Sequence, residues 1–187
     1  MKFLPTELPG VVLVEPVVHR DARGFFLEVW RADRFAEAGI PASFVQENHS
    51  ASVRGTLRGL HAQLAPRAQG KLVRVVEGEI FDVAVDVRPS SPHFGRFAVA
   101  VLSAENFRQL WIPAGFAHGF CVTSERAQVE YTCTAPYDPA CEIAIAWNDP
   151  AIGISWPCGE PVLSPRDRAA PSLAAQRRRL AEADGAR

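Results

Sequence analysis

Lysine is almost missing from this chain. Of 20 basic residues only Lys2 and Lys71 are lysines, and the other 18 are arginines. Tyrosine is as scarce, limited to Tyr131 and Tyr137, and methionine occurs once. The formal net charge is −1, which removes the electrostatic case for binding nucleic acid or an anionic membrane surface. No apolar run approaches the about 20 residues that a membrane-spanning helix needs. The start, Met1-Lys2-Phe3-Leu4-Pro5, lacks the apolar stretch and small-residue cleavage pattern of a secretory signal. The four cysteines (Cys121, Cys133, Cys141 and Cys158) include no Cys-x-x-Cys pair. Reduced, mostly buried thiols in a cytoplasmic protein are therefore the expectation.

What is present reads as one domain over residues 1–187, long enough to bury a core. There is no internal repeat, low-complexity tract or linker to divide it. Short strands are expected at Val11–Val14, Phe25–Trp30, Phe44–Asn48 and Thr56–Gln63. Lys71–Glu77, a turn at Gly78 and Glu79–Arg88 read as a hairpin. In its second arm Phe81, Val83, Val85 and Val87 alternate with Asp82, Ala84 and Asp86, the period of a half-buried strand. Further strands are expected at Phe97–Leu102, Gln109–Ile112, Phe116–Thr123, Val129–Cys133 and Glu142–Trp147. Many strands at short spacing, broken by Gly and Pro, argue for an all-β sandwich or barrel. Two short helices flank it: Arg31–Ala38, stopped by Gly39, and a C-terminal helical tail from about residue 172, capped by Ser172. The ending Asp184-Gly185-Ala186-Arg187 is expected to fray.

The one lysine in the strand-rich region stands out against the arginines. A compact ammonium can shift its pKa, which a guanidinium cannot do. Strand alternation puts His118 on an apolar face with Phe116, Phe120 and Val122, turned into the barrel. Tyr131 shares a face with Val129 and Cys133, and a phenol inside a barrel must find a partner or a ligand. His61 lies on the other side of its strand from Arg58 unless a bulge intervenes. Each of these alone reads as a packed core residue with one hydrogen bond. Together, His61, Lys71, His118 and Tyr131 make an interior that gathers titratable groups, which is costly without a use for them.

Two phrases sharpen this. Gly55-Thr56-Leu57-Arg58-Gly59-Leu60-His61-Ala62-Gln63 followed by Pro113-Ala114-Gly115-Phe116-Ala117-His118 resembles the skeleton of a cupin jelly-roll barrel. In metal-binding cupins such phrases deliver several ligands to one ion. Here Gln63 stands where a second histidine would be, no glutamate follows within the next few residues, and Val122 occupies the late ligand position. A divalent ion wants three or four His or carboxylate ligands. The expectation is a barrel without metal or cofactor, in which imidazole serves as a base.

A longer ordered set of phrases carries a closer resemblance. It runs through Asp21-Ala22-Arg23-Gly24-Phe25-Phe26-Leu27-Glu28, Gln46-Glu47-Asn48-His49-Ser50, Leu57–Gln63 and Gly70-Lys71-Leu72-Val73. It continues with Phe81–Arg88, Ile112–Phe120, Glu130-Tyr131-Thr132-Cys133-Thr134, Trp147-Asn148-Asp149-Pro150 and Leu163-Ser164-Pro165-Arg166-Asp167. Taken together the chain resembles the dTDP-4-dehydrorhamnose 3,5-epimerase family from about residue 3 to residue 171. That resemblance implies a metal-free homodimer acting on a dTDP-linked 4-keto-6-deoxyhexose and inverting the two carbons beside its ketone.

The resemblance also implies roles. His61 matches the base and Asp167 the carboxylate that orients it. Lys71 matches the group at the C4 oxygen, and Tyr131 the acid that reprotonates from the other side. Arg23, Arg58 and Arg166 match diphosphate contacts, with Gln46 and Asn48 as polar companions. Phe26 and Glu28 match thymine contacts, and His118, Tyr137 and Glu142 match other substrate-contacting positions. The sequence departs from the family pattern at Ala62, in place of an aromatic, at Arg166, in place of a lysine, and at His93, in place of a threonine. Two other readings stay open: a relative that inverts C3 alone, and a non-catalytic sugar-binding cupin.

Overall fold

The computed structural model describes residues 1–40 and 43–185. The N-terminal quarter contains β1 (Lys2–Pro5), β2 (Val12–Glu15), β3 (Val18–Asp21), β4 (Gly24–Leu27) and helix α1 (Ala32–Glu37). Then come β5 (Gln46–Val53), β6 (Leu57–Gln63), β7 (Lys71–Glu77), β8 (Glu79–Asp86), β9 (Phe97–Ser103) and β10 (Gln109–Ile112). The last strands are β11 (Phe116–Val122), β12 (Arg126–Cys133) and β13 (Glu142–Ala144), followed by helices α2 (Pro165–Arg168) and α3 (Leu173–Asp184).

The strands form two antiparallel sheets, one ordered β1-β2-β10-β7-β12-β5 and the other β13-β6-β11-β8-β9. They face each other as an all-β jelly-roll barrel with short flanking helices. The core between them joins Val73, Val75, Leu110, Ile112 and Val129 of the first sheet to Ile80, Ala84, Phe120 and Val122 of the second. A second apolar layer lies outside the five-stranded sheet, where Ile152, Leu173 and Leu180 cover Val83, Val85 and Val87. A third, around Phe35, Ile40, Leu72 and Trp111, seats α1 on the outer face of the six-stranded sheet. Among the described residues the strands β3 and β4 pair only with each other. Among the described residues no helix is long and apolar enough to cross a membrane.

Several sequence expectations change. The stretch around Gly78 is a corner, not a hairpin: β7 pairs with β10 and β12, while β8 pairs with β11 and β9 in the other sheet. Gly78 has φ +74°, and a Cβ there would lie 2.0 Å from the carbonyl oxygen of Arg126, so the chain can switch sheets only with glycine at this point. The alternation in β8 does not mark a half-buried strand either. Both faces are covered, and Asp82 and Asp86 are as buried as the valines. The valine side lies under the C-terminal layer, and the aspartate side looks into the barrel.

Helix boundaries follow local chemistry. The Ser172 hydroxyl accepts from the Ala175 amide and caps α3 as expected. The helix runs through Asp184, whose carboxylate accepts from the Ser90 amide at 3.0 Å, so that residue is held. The rest of the expected fraying falls largely on residues 186–187, outside the described residues. Helix α2 was not visible as periodicity. It is a single turn with Pro165 at its first position and Ser164 as its cap.

Candidate active site

Register places the chemistry. His118 on β11 stands directly across from His61 on β6, and Phe120 directly across from Arg58. Two steps along β11 therefore match three along β6, which is a bulge of one extra residue. It turns Arg58 to the same side as His61, resolving the condition left open by the sequence. Gly59 lies inside the bulge with φ +120°, and a Cβ there would come within 2.6 Å of the Gly119 Cα. Only glycine lets the two strands approach so closely. From the facing sheet, β7 contributes Lys71 and β12 contributes Tyr131.

The result is one cleft in two lobes. The lobe of about 270 Å³ is lined by Ser50, Arg58, His61, Lys71, His118 and Tyr131, with Ser164, Arg166 and Asp167 at its side. The lobe of about 200 Å³ is lined by Gln46, Asn48, Gln63, Gln69, Tyr137 and Glu142. His61, Lys71 and Tyr131 line both. The imidazole and the phenol thus approach the same space from opposite sheets.

The His61 ring is held by its far nitrogen. Nε2 lies 2.6 Å from Asp167 Oδ1, and Oδ2 of the same carboxylate accepts from the Ser164 hydroxyl at 2.8 Å. The Asp167 amide donates back to that hydroxyl at 3.0 Å, so the cap of α2 also positions the carboxylate. Burial works against the charge on Asp167. The hydrogen bonds from His61 and Ser164 and the charge of Arg166 outweigh it and hold the carboxyl below its ordinary value. An ionised Asp167 accepts only, so the proton sits on Nε2 and leaves the Nδ1 lone pair free as a base.

Lys71 is lowered from its ordinary value because it is enclosed, an effect opposed by Cys133, Glu142 and Asp82. Its ammonium stands 5.8 Å from the centre of the Tyr131 ring. Tyr131 is raised, first by burial, then by Cys133 and Glu142, against the charge of Arg58. A lowered ammonium is a better proton donor toward an oxyanion, and a raised phenol stays protonated at neutral pH.

His118 has its own carboxylate. Its Nε2 is 2.6 Å from Asp82 Oδ1, and the second oxygen of Asp82 has no hydrogen-bond partner among the described residues. At the mouth, Glu142 accepts from the Tyr137 hydroxyl at 2.6 Å and pairs with Arg166 at 2.7 Å. Burial opposes its ionisation, but Arg166, Tyr137 and His61 hold it below the ordinary value. Gln46 accepts from the Tyr137 amide at 2.7 Å and donates to Asn48 at 2.9 Å. Gln63, at the missing ligand position, is a strut instead. It donates to the carbonyls of Arg67 and Pro136 and accepts from the Asp138 amide. Val122 is core. Among the described residues no three His, Cys, Asp or Glu converge as a metal-ligand group.

Most of the expected site residues come together: His61, Lys71, Tyr131, Asp167, Gln46, Asn48, Arg58, His118, Tyr137, Glu142 and Arg166 line the cleft. Arg23, Phe26 and Glu28 do not line it within this chain. Arg23 and Phe26 sit on the β3–β4 hairpin, and Phe26 is 72% exposed. Glu28, just after it, pairs with Arg34 and Arg31. Ser50, Phe120 and Ser164 line the cleft without having been expected there, as do Gln63 and Gln69. The role of Asp82, which sits behind His118 and is fully buried, was not foreseen either. The signal for Asp82 was available, since an acidic residue alternating with Ile80 and Ala84 can face a barrel interior if a histidine meets it. The signal for Ser164 was a Ser-Pro pair opening a helical turn.

Comparison with known proteins identifies a family and a shared fold. A family model of dTDP-4-dehydrorhamnose 3,5-epimerase matches residues 5–175. The enzyme of that name from Shigella flexneri is 54% identical over 168 residues, covering 89% of this chain and 93% of the relative. One from Neisseria gonorrhoeae is 56% identical over 170 residues, and this chain spans about half (52%) of that protein's length. A crystal structure of dTDP-6-deoxy-D-glucose-3,5-epimerase from Legionella pneumophila, in complex with dTDP-4-keto-L-rhamnose, superposes with a TM-score of 0.92. It is 48% identical, with 96% of each chain covered.

Proposed function

The chain belongs to the dTDP-4-dehydrorhamnose 3,5-epimerase family, and from that membership we propose that it epimerises a dTDP-linked 4-keto-6-deoxyhexose at C3 and C5. The observation that carries the reading is that His61 from one sheet and Lys71 and Tyr131 from the other line a single cleft. A hydrogen beside a ketone becomes acidic only as the enolate oxygen is stabilised. In this reading His61 Nδ1 removes that hydrogen while Asp167 holds the resulting imidazolium. The Lys71 ammonium meets the C4 oxygen and takes up the developing charge. Tyr131 returns a proton from the opposite wall, so each carbon is inverted. The cationic partner is a side chain, so the steps ask for no cofactor.

Arg58 and Arg166, beside Gln46 and Asn48, are the proposed diphosphate contacts, because arginine suits bidentate phosphate binding. His118, Tyr137 and Glu142 complete the sugar side. We place Arg23, Phe26 and Glu28 in the nucleotide site across a homodimer. The β3–β4 hairpin that carries Arg23 and Phe26 and leads into Glu28 joins neither sheet among the described residues, and Phe25 and Phe26 stand exposed, as a segment reaching a second copy would leave them.

Incubation with dTDP-4-keto-6-deoxyglucose in D₂O tests the reading. Deuterium at both C3 and C5 is expected. Label at C3 alone would make the chain a 3-epimerase, and no exchange at either carbon would sink the enzymatic reading.

A further inference from the structure

Outside the cleft, two of the four cysteines meet on the outer face of the five-stranded sheet. Cys121 on β11 shares its face with Ala117, turned away from the cleft, and is fully buried. Its register neighbours are Leu57 on β6 and Phe81 on β8. The segment leading from β13 to α2 crosses this spot between two anchors. At one, Trp156 packs edge-on against Phe81 with ring centroids 6.0 Å apart. At the other, Val162 accepts from the Leu57 amide at 3.0 Å and donates to the Gly55 carbonyl at 2.9 Å. Cys158 lies between them on the segment that crosses over Cys121, near enough to perturb the Cys121 thiol, whose own hydrogen bond goes to the Val122 carbonyl at 3.8 Å.

We propose that Cys121 and Cys158 form a peroxide-responsive thiol pair that closes to a disulfide and staples the segment leading into α2 onto β11. The two thiols differ in the way such a pair requires. Cys158 is partly exposed and is followed by Gly159, where an added Cβ would meet nothing within 4 Å. A small oxidant can reach it, and the backbone there has room to shift. Cys121 is sealed in the sheet, and its thiol is pushed up to about 12 by burial first and then by Cys158, so it stays protonated and does not react first.

The chemistry balances. The Cys158 sulfur attacks the peroxide O–O bond, giving a sulfenic acid and releasing the other oxygen as water or an alcohol. The Cys121 sulfur then displaces the hydroxyl from Cys158. The S–O bond breaks, the S–S bond forms, and the Cys121 proton leaves with the hydroxyl as water. Two thiols lose two electrons and the peroxide gains them. The other two thiols are engaged elsewhere: Cys141 with Asp138, Cys133 with Asn48. The loop closed by the bond contains β12 and β13, and the stapled segment runs directly into Ser164 and Asp167. Closing such a loop restricts the unfolded chain and raises stability.

The test uses the full chain, reduced and then freed of reductant, titrated with hydrogen peroxide and followed by intact mass and peptide mapping. The expected result is loss of the mass of two hydrogens, a linked Cys121–Cys158 peptide and a Tm higher by several degrees, all reversed by dithiothreitol. Cys158→Ser abolishes the change. Cys121→Ala, which keeps the site apolar, leaves Cys158 as a sulfenic acid that dimedone traps. Linkage to Cys133 or Cys141, a bond between two chains, or over-oxidation of Cys158 with Cys121 intact overturns the proposal. These readouts are independent of the epimerase reading.

Discussion

His61 and His118 stand opposite each other on adjacent strands, and each lies 2.6 Å from an aspartate oxygen. Beyond that they differ. The His61 side chain is 26% exposed to the cleft, whereas His118 is 7% exposed and its partner Asp82 is fully buried. Asp167 comes from the N-terminus of a helical turn and has both oxygens engaged, one by His61 and one by Ser164. Asp82 comes from mid-strand and keeps one oxygen without a hydrogen-bond partner among the described residues. Equal distances therefore do not make equal sites. The first pair combines an accessible ring nitrogen with a fully satisfied counter-charge, which suits a group that must gain and lose a proton repeatedly. The second is a wall that fixes an imidazole in place.

The sharpest way to break this comparison is to remove the accessible ring. His61→Ala should lower kcat by about 10²–10⁴, the usual contribution of a positioned acid–base group, while a thymidine nucleotide still binds by calorimetry. Equal turnover in the variant would move the base to another residue.

Next is the group that lines the cleft together with both histidines. Lys71→Gln should lower kcat by about 10²–10³, as loss of one preorganised stabiliser does. Enclosure puts the Lys71 ammonium below its ordinary 10.5, so rising pH strips its proton early, while Tyr131, raised above 10.0, still holds its own. The kcat/KM profile should therefore fall on the alkaline side below pH 10.5. That limb should vanish in Lys71→Gln, and a limb that persists would belong to Tyr131.

The two aspartates should then separate by readout. Asp82→Ala leaves a buried ring nitrogen unpaired and should cost about 1–3 kcal/mol of stability, read from the denaturant midpoint. Asp167→Ala should show the reverse pattern, with turnover hit harder than stability, because His61 can turn to solvent. Identical behaviour of the two variants would erase the distinction.

Ser164→Ala should have the smallest effect, about 1 kcal/mol from the lost helix cap. It carries a pH signature as well. The folded Asp167 carboxyl titrates below its unfolded value of 3.8. The stability it supplies is thus present above that value and is lost as pH falls through the folded one. Without the serine donor the folded value moves up toward 3.8, and acid unfolding should begin at a higher pH. An unchanged acid midpoint would assign the shift to His61 and Arg166.

The strands were legible because their apolar residues alternate and because Gly and Pro punctuate them, and the cleft residues followed from their places on those strands. What escaped was whatever depends on a partner far away in sequence. The burial of Asp82 is one such case, because the alternation along a single strand cannot show that both its faces are covered. The corner at Gly78 has the sequence of a hairpin because a tight turn looks alike whether the next strand pairs back or crosses to the other sheet. The side taken by Arg58 hinged on a bulge, which is a property of two strands in register. Helix α2 is one turn long, too short to have a period. The placement of Arg23, Phe26 and Glu28 depends on what the β3–β4 hairpin meets, and no pattern within one chain encodes that.

The close approach of Gly59 and Gly119 has a consequence for how such a protein can change. A Cβ on Gly119 would lie 2.8 Å from the Arg58 carbonyl, and one on Gly59 would strike the Gly119 backbone. The two histidine-bearing strands are thereby pinned at a spacing that no other residue pair tolerates, so the chemistry is inherited whole or lost. Room for drift lies at the rim, where Tyr137 and Arg166 stand half in solvent. A lineage acquiring a taste for a different sugar would be expected to alter its rim and leave the centre untouched.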